Sequence, residues 1–553
     1  MQSERDDQGR AWARLTGVAL VLALAAGLRL FAFTWGLPDD THMFSYHPDE
    51  FHSLRGAFAL ATGDPNPHFF NYGSLYLYLA AVAAMVGAPG IFASLSQAVP
   101  GGPLLPAALR AWTLDARVVT LILSVATVYV VYLTAARIWG HRAGVLAGLA
   151  LAVMPLHVVH SHYATVDVPG AFFVALALYF SVRLLDQPTT RNLVLAGIAT
   201  GLAASAKYSG GLVVVAPLAA WLIAPRRERG PRRWLAPLVV IGCAVVAFAL
   251  TSPYTFLDWP NAWRDISFEI AHARAGDDPA AIARDPNGWW FHLKQLNLAL
   301  TWPMLGVAVW SAISALRARR REVIPLIVFA LVAFAIIGSA QVRYARYEIP
   351  LLPPLAVLAG WSLRRERFAP ARVLEWGLLS VGMVLALWLS VLWLMVMGHV
   401  GFEDPRETVV SFVRGTVAEG ETLGLVSEPW FHQPPVDYCN GGYTLRHNPI
   451  WGAYRRPVCE LVITGLDPSA IREPLPRAFV FTSFDLAAPP EQVEAFERKL
   501  REHYGNWWKS DNGTGVWWTT VLSPRPAHDW LYPFPLIYWC PLTTPPTGGA
   551  PDG

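Results

Sequence analysis

Charge is scarce in this 553-residue sequence: Lys, Arg, Asp and Glu make up only 15% of it, while 54% of the residues are hydrophobic. Mean hydropathy is correspondingly positive, at +0.35. A chain so apolar and so poor in charge does not fit an ordinary soluble enzyme, and a lipid bilayer is its expected solvent. The net charge of +3 is too small to imply a nucleic-acid partner.

Cysteine is scarce as well. The four cysteines show no CxxC or zinc-type spacing. Cys243 lies in an apolar segment and the other three in a hydrophilic tail, where a Cys439–Cys459 disulfide is one option. No cofactor is predicted from the sequence, and a divalent metal is left open.

Long apolar stretches recur along the first 400 residues, and a window of roughly 19 residues marks about eleven transmembrane helices. The first is too long for a signal-peptide core and lacks a small-residue cleavage site, which predicts a retained anchor. The predicted spans are 15–35, 116–136, 143–159, 168–185, 192–206, 210–224, 234–252, 297–315, 323–340, 348–363 and 375–397. These residues predict an all-α polytopic membrane domain.

Basic runs predict the orientation of that domain in the plasma membrane. With a cytoplasmic N-terminus, every strong basic run faces the cytoplasm: Arg137 to Arg142, Arg183 with Arg191, 226–233, 317–321 and 364–367. An odd number of spans then makes a first loop at 36–115 and everything after 398 extracytoplasmic. The apolar segment Ser74–Val86 is assigned to the membrane interface, because counting it as a span would invert this parity.

The hydrophilic tail reads as a small extracytoplasmic α/β domain at 399–535. TLGLVSE, CELVITG and RAFVFTSF alternate like strands, and PEQVEAFERKLREHYG reads as a helix that Pro490 opens. Residues 1–398 form the predicted membrane domain. Residues 536–553 are rich in proline and glycine and are expected to be disordered.

The first loop carries a cluster of ionisable residues about ten positions after the first span, including His47, Asp49, Glu50 and His52. Acids in a first helical turn after Pro48 are also favoured by the helix dipole, so capping is the structural alternative. A carboxylate just above the bilayer, however, reaches both a lipid-borne phosphosugar and a water-borne hydroxyl.

A second cluster runs from His157 to Asp167, where the third and fourth spans meet the outer face. An ionisable group such as Asp167 at the edge of an apolar helix is a functional hypothesis by default, and helix capping before Pro169 is the alternative. The spacing of His157, His160 and His162 places these residues poorly on one helical face, so no metal site is predicted there.

Cations also occur on the predicted outer face, against the positive-inside preference. They are Lys207, next to Tyr208, and Arg343 and Arg346, on either side of Tyr344. A phosphate ligand would justify them, since a guanidinium fork matches phosphate oxygens. Interfacial snorkelling beside tyrosine anchors is the alternative.

The ordered set of Asp49-Glu50, HSHYATVDVP, AKYSG, SPYTFLD and RYARYEIPLLPPLAVLAG, spread over about residues 15–400, resembles the phospholipid-carrier-dependent glycosyltransferases of the GT-C superfamily. This group, glycosyltransferase family 39, contains protein O-mannosyltransferases and the lipid A aminoarabinose transferase. The resemblance implies a GT-C fold. It also implies an enzyme that moves a sugar from a polyprenyl phosphate or diphosphate, usually with inversion, to an acceptor on the outer face.

Carried over residue by residue, the resemblance makes Asp49 the base that deprotonates the acceptor hydroxyl, with Glu50 beside it. Asp167 would position acceptor or sugar, and Arg343 with Lys207 would stabilise the leaving phosphate. The other residues expected near donor or acceptor are Tyr208, Tyr344, Arg346, His47, His52, Arg55, Tyr72, His160 and His162.

The sequence departs from the family pattern in two places. Many relatives carry Arg three positions after the catalytic Asp, where this chain has His52, with Arg55 one turn further. Phe70 to Leu75 replace the Lys-Pro-Pro or Pro-Pro-Leu of many relatives. Donor identity therefore cannot be carried over, and the sequence leaves protein, lipid and glycan open as acceptors.

Two further classes of function compete with this interpretation. A metal-dependent oligosaccharyltransferase-like enzyme would need a DxD-like arrangement, whereas Asp39 and Asp40 are adjacent. A transporter or flippase should show paired halves with broken helices and charges buried in mid-span. The sequence shows no internal repeat, and its acids lie at helix ends. A third alternative is an inactive relative that uses the tail as a binding module.

Overall fold

The structure, a computed structural model, describes residues 2–95, 104–225, 233–276, 279–363, 370–401, 403–418, 420–510 and 527–543. Two of the predicted cytoplasmic basic runs, at 226–233 and 364–367, lie outside these residues except for Arg233. Residues 544–553 of the predicted disordered tail also lie outside them.

Helices dominate the first 400 residues. The first group is α1 (Gln2–Leu30), α2 (Glu50–Ser53), α3 (Arg55–Ala61), α4 (Leu75–Gly87), α5 (Pro89–Leu95), α6 (Leu104–Trp139), α7 (His141–Val153), α8 (Pro155–His160), α9 (Asp167–Asp186), α10 (Thr190–Ala206), α11 (Val215–Ile223) and α12 (Ala236–Thr251). The second is α13 (Tyr254–Leu257), α14 (Trp259–Ala275), α15 (Pro279–Arg284), α16 (Gly288–Leu300), α17 (Trp302–Arg317), α18 (Ile324–Ser339), α19 (Leu352–Ala359), α20 (Pro370–Met397), α21 (Pro405–Thr416), α22 (Gly442–Arg446) and α23 (Pro490–Arg501).

Each of the eleven predicted spans contains apolar helix, but the helices differ in length. Among the described residues, four stretches are long and apolar enough to cross a membrane: Leu105–Trp139, Asp167–Asp186, Arg321–Ser339 and Arg372–Met397. A fifth crossing results if α16 and α17 form one span, bent by 107° at Thr301. The remaining predicted spans coincide with α1 and with shorter helices, so the count of eleven remains a prediction.

The segment predicted as the first loop contains several helices. α6, which carries the predicted span 116–136, already begins at Leu104 within this segment, and the loop bounds remain a prediction. Within the loop, α4 covers the segment assigned to the interface, and its 13 residues measure only about 20 Å, less than the hydrocarbon thickness. α4 packs against α3 and α6.

The helices pack around one large apolar core. α9 lies at its centre and contacts α6, α10 and α11, while α10 also packs along α12. Small residues allow the closest approaches: an ideal Cβ at Gly201 would lie 2.2 Å from the carbonyl oxygen of Ala244 on α12. Near the start of α9, an ideal Cβ at Gly170 would lie 3.5 Å from Cβ of Lys207, so the residues Asp167 and Lys207 at the ends of α9 and α10 lie close to each other.

The tail forms the α/β unit that the sequence predicts. Its sheet has strands β1 (Thr422–Leu425), β2 (Glu460–Ile463), β3 (Ala478–Thr482), β4 (Trp508–Lys509) and β5 (Ile537–Pro541), in the order β2-β1-β3-β5-β4. β1 runs parallel to β2 and β3, and β5 is antiparallel to β3 and β4. Val480 packs in a core with residues of α21, and its neighbour Phe479 in a second core with residues of α23. Neighbouring residues of β3 therefore point to opposite faces of the sheet, as they do in a strand that is buried on both faces.

One expectation for the tail is wrong. Residues 537–541 were expected to be disordered, but they form β5 between β3 and β4, because Ile537 and Trp539 pack in the sheet core. The α/β unit therefore continues past residue 535, and the boundary at 398 remains a prediction. Cys439 and Cys459, for which the sequence left a disulfide open, are free thiols.

Candidate active site

The two acids of the first loop have different environments. Glu50 is fully buried, and its two oxygens accept hydrogen bonds from Nε and Nη2 of Arg117 at 2.7 and 2.8 Å. One of these oxygens also accepts from the backbone N–H of Ala164 at 2.7 Å. Burial alone would raise the pKa of Glu50, but the Arg117 guanidinium outweighs it and the net pKa is lowered. Glu50 therefore anchors the loop to α6 and has no exposed surface for a substrate.

Asp49 keeps its carboxylate accessible. Its side chain is 21% exposed, and Oδ2 lies 3.1 Å from Nη1 of Arg346. The backbone N–H of Asp49 donates to Nδ1 of His47 at 3.2 Å, so this imidazole accepts on Nδ1. Burial lowers the pKa of His47 well below its usual range, which keeps the ring neutral and able to accept.

Arg346 is the centre of the site. Its guanidinium contacts Asp49, donates to the hydroxyl of Tyr532 at 3.2 Å and lies 4.2 Å from the ring centre of Tyr344. Burial alone would lower the pKa of Arg346, but Asp49, Tyr532 and Asp167 raise it well above its usual value. A permanent cation therefore contacts Asp49 and lies within electrostatic range of Asp167, two of the three predicted catalytic acids.

A second ion pair lies beside the first. Asp167, the first residue of α9, is buried, and its Oδ1 accepts from Nζ of Lys207 at 2.5 Å. Lys207 follows the last residue of α10, and its Nζ lies 4.5 Å from the ring centre of Tyr347. Two carboxylates and two cations thus converge at one end of the helix bundle.

The histidines divide into a site group and a structural one. His47 and His160 lie on either side of Tyr163, with ring centres 4.4 and 5.5 Å from the Tyr163 ring. Their ring nitrogens include buried atoms without a hydrogen-bond partner among the described residues: Nε2 of His47 and both nitrogens of His160. Both ring nitrogens of His162, in contrast, lie within hydrogen-bond distance of a backbone carbonyl oxygen: Nδ1 is 2.9 Å from that of Val158 and Nε2 is 2.8 Å from that of Phe31. These contacts fix the orientation of the ring.

Tyr72, His52 and Arg55 border the site on the first loop. Tyr72 lies within electrostatic range of Asp49, Arg346 and Asp167. His52 stacks on Phe69 at 4.9 Å with an interplanar angle of 3° and accepts a long contact from Nε of Arg55, at 3.4 Å.

Two predicted phosphate ligands lie elsewhere. The Arg343 guanidinium donates to the backbone carbonyls of Ala340, Asp285 and Pro286, and it borders a separate cavity of about 390 Å³. Tyr208 donates its hydroxyl to the carbonyl of Phe70 at 2.9 Å, which ties the first loop to the bundle. Arg346, and not Arg343, is the arginine that contacts Asp49.

Several residues that position the site were missed at the sequence level. Asp529 is fully buried and accepts from the backbone N–H groups of Ala345 at 3.1 Å and Arg346 at 2.7 Å. Tyr532 follows three residues later, and Trp530 stacks on Trp393 of α20. The tail therefore returns to the helix bundle and holds the central arginine. In the sequence, only the aromatic residues of HDWLY, within a tail predicted to be hydrophilic, hint at this contact with the helix bundle.

Helix α14 was also missed, and it holds the first loop from the other side. Its Asp265 accepts from the backbone N–H of Phe70 at 3.1 Å, and its Glu269 accepts from the amide of Asn71 at 2.6 Å. Among the described residues, no group of three or more His, Cys, Asp and Glu side chains is arranged to hold a metal ion.

The chain is similar in sequence to known proteins. Residues 111–256 match a family described as dolichyl-phosphate-mannose-protein mannosyltransferase. An undecaprenyl phosphate-alpha-4-amino-4-deoxy-L-arabinose arabinosyl transferase of Pseudomonas aeruginosa is 30% identical over 315 residues, which are 53% of this chain and 54% of that protein. The chain thus spans about half the length of the curated relatives it matches.

Solved structures share the fold over most of the chain. ArnT from Cupriavidus metallidurans, bound to undecaprenyl phosphate, has a TM-score of 0.51 at 16% identity, covering 96% of this chain and 98% of that one. The archaeal oligosaccharyltransferase AglB from Archaeoglobus fulgidus has a TM-score of 0.51 at 14% identity, covering 91% and 74%. The chain is therefore similar in sequence to lipid-carrier-dependent glycosyltransferases over part of its length, and it shares its fold with these solved structures.

Proposed function

We propose that this protein is a membrane glycosyltransferase that moves a sugar from a polyprenyl-phosphate-type lipid carrier to an acceptor hydroxyl on the extracytoplasmic face. The observation that carries the proposal is the convergence of Asp49, Arg346, Asp167 and Lys207. The arabinosyl transferase similarity supports the lipid-linked donor, and the choice between pentose and hexose stays open.

Asp49 is the proposed general base. Of the two adjacent acids it is the accessible one, since Glu50 has both oxygens occupied by Arg117 and Ala164. Asp49 would take the proton of the acceptor hydroxyl while that oxygen forms a bond to the anomeric carbon. The bond from this carbon to the carrier phosphate breaks, and the electron pair leaves with the phosphate.

Arg346 and Lys207 are the proposed phosphate partners. Charge develops on the leaving phosphate in the transition state, and prearranged cations there stabilise it without reorganisation. Each cation is held by a carboxylate, Asp49 or Asp167, which fixes its position for a phosphate. Attack from the side opposite the phosphate would invert the anomeric centre.

The decisive experiment is Asp49→Asn in proteoliposomes supplied with radiolabelled undecaprenyl-phosphate sugars. The amide keeps the shape but cannot accept a proton, so transfer should fall by about a hundredfold to ten-thousandfold. Donor binding and membrane insertion should persist.

Glu50→Gln is the matched control, because it replaces one carboxylate oxygen of the adjacent acid with an NH2 group, as Asp49→Asn does. It should destabilise the loop, since Arg117 loses its buried charged partner, but transfer per folded molecule should stay closer to that of the parent. Parental turnover by Asp49→Asn, together with an inactive but folded Glu50→Gln, would contradict the assignment of the base.

A further inference from the structure

A cavity of about 450 Å³ lies between the first loop and the tail. Phe44, Pro48 and His52 line it on the loop side, and Glu428, Trp430 and Tyr443 line it on the tail side. Its loop wall flanks Asp49 in sequence, and His52 is within electrostatic range of the Asp49 carboxylate. The cavity therefore borders the candidate active site, and His47 is among the residues that line it.

The two walls of this cavity are held in fixed register. The Asn440 amide accepts from the backbone N–H of Phe44 at 2.9 Å and donates to its carbonyl at 3.1 Å. The N–H of Met43 donates to the carbonyl of Tyr438 at 2.8 Å. An ideal Cβ at Gly441 would lie 2.8 Å from the Phe44 ring, so only glycine allows this close approach. A cavity with walls joined in this way is preformed, as binding sites for small ligands usually are.

Two large aromatic side chains stay exposed at this cavity. Trp430 is 42% exposed and Tyr443 is 69% exposed. Gly442, with φ of +65°, places its backbone against Trp430, since an ideal Cβ there would lie 3.2 Å from Cγ of the indole. The ring orientation is thus set by the turn. Rigid aromatic faces give a large apolar contact area at low entropic cost.

The charges of the cavity already have partners. Glu428 forms an ion pair with Arg446, and a second contact with His447 at 3.3 Å. The Arg55 guanidinium lies 4.9 Å from the ring centre of Phe69. A paired carboxylate still has lone pairs that accept hydroxyl protons. The cavity therefore suits a neutral ligand with hydroxyl groups and flat apolar C–H faces, rather than an anion or a cation.

We infer that this cavity binds the glycan part of a sugar acceptor, with a sugar ring against Trp430 or Tyr443 and hydroxyls on Glu428. This inference rests on the proposed function, because the bound sugar would present its hydroxyl to Asp49. The volume lies within the range of small-ligand sites and suits a short sugar segment. A glycan on a lipid and a free oligosaccharide share this chemistry.

Saturation-transfer NMR on the full chain in nanodiscs tests the inference without turnover. The probes are linear oligosaccharides of glucose, galactose and N-acetylglucosamine, the same sugars on a glycolipid, and a peptide containing Ser and Thr. We expect saturation of sugar ring C–H protons, with affinity about tenfold weaker in Trp430→Ala and Tyr443→Ala. Ile463→Ala, at an exposed residue outside the cavity, should bind like the parent.

Tyr443 keeps the test valid if Trp430→Ala fails to fold, because its ring is mostly exposed. Binding of the glycolipid alone would identify a lipid-borne glycan and support the inference. Binding of the peptide alone, no binding of any sugar, or parental sugar affinity in the folded aromatic variants would overturn it. A parent chain that binds the sugars but transfers none would refute the proposed function alone.

Discussion

Asp529 offers the sharpest perturbation of the site from a distance. Asp529 is not among the residues proposed to contact the donor or the acceptor. It accepts hydrogen bonds from the backbone N–H groups of Ala345 and Arg346, and so fixes the backbone that carries the Arg346 guanidinium. Tyr532 then contacts the guanidinium itself. Asp529→Asn should therefore impair both stability and donor binding, although residue 529 lies in the tail.

The magnitude follows from the two hydrogen bonds. Asparagine has one amide oxygen, so it can accept a hydrogen bond from only one of the two N–H groups. Its NH2 group would face the other N–H, and two donors form no hydrogen bond. Losing a buried hydrogen bond to a charged group costs about 1.5 to 3 kcal/mol of unfolding free energy. A shift of about 1 Å in the Arg346 guanidinium would cost about a hundredfold in transfer rate.

The assay measures thermal inactivation, donor affinity and single-turnover transfer in the same proteoliposomes. Asp437→Asn is the control: Asp437 is fully buried in the same tail, its Oδ1 accepts from the backbone N–H groups of Cys439 at 3.2 Å and Arg456 at 2.7 Å, and its Oδ2 pairs with Arg446 at 2.7 Å, an ion pair that the amide loses. It should lose comparable stability but keep parental donor affinity. If Asp529→Asn matches Asp437→Asn in all three measurements, the segment that contains Asp529 and Tyr532 is only structural and does not position Arg346 for the donor.

Three further outcomes are expected. Arg346→Ala should weaken undecaprenyl-phosphate binding more than Arg343→Ala, and the reverse order in an equilibrium binding assay would restore Arg343 as the phosphate ligand. Burial lowers the pKa of His52 to about 4, below its unfolded value of about 6.5. Thermal stability should therefore fall as pH drops through this window, and His52→Gln should flatten the profile. A periplasm-active reporter fused after Gly401 should be active and one at Arg319 silent, the opposite result contradicting the proposed topology.

The parts of the fold that depend on local pattern were predictable. Apolar length located helix in every predicted span, and period-two alternation located β1, β2 and β3 in the tail. Helix boundaries were less accurate, because an apolar run does not report where a backbone bends. The break at Thr301, for example, lies inside one continuous apolar segment.

The candidate site was predictable only as a set of residue types. Motif order identified Asp49, Asp167 and Lys207, which the fold brings together. It could not distinguish Arg346 from Arg343, because the choice depends on which guanidinium points at Asp49. Nor could it find Asp529, whose partner is 183 residues away in sequence. Such contacts arise from tertiary packing, which leaves little trace in a single sequence.

The charge layout along the helices connects the site to the proposed topology. α9 begins with Asp167 in the site and carries Arg183 sixteen residues later, about 24 Å along its axis. α6 likewise carries Arg117 near the site and Arg137 at its far end, where Arg137 pairs with Asp186 at 3.2 Å. The candidate site and these basic ends thus lie at opposite ends of the same helices. Since basic residues favour the cytoplasmic side, this separation supports a site that faces outward, where a carrier-linked sugar and its acceptor would meet.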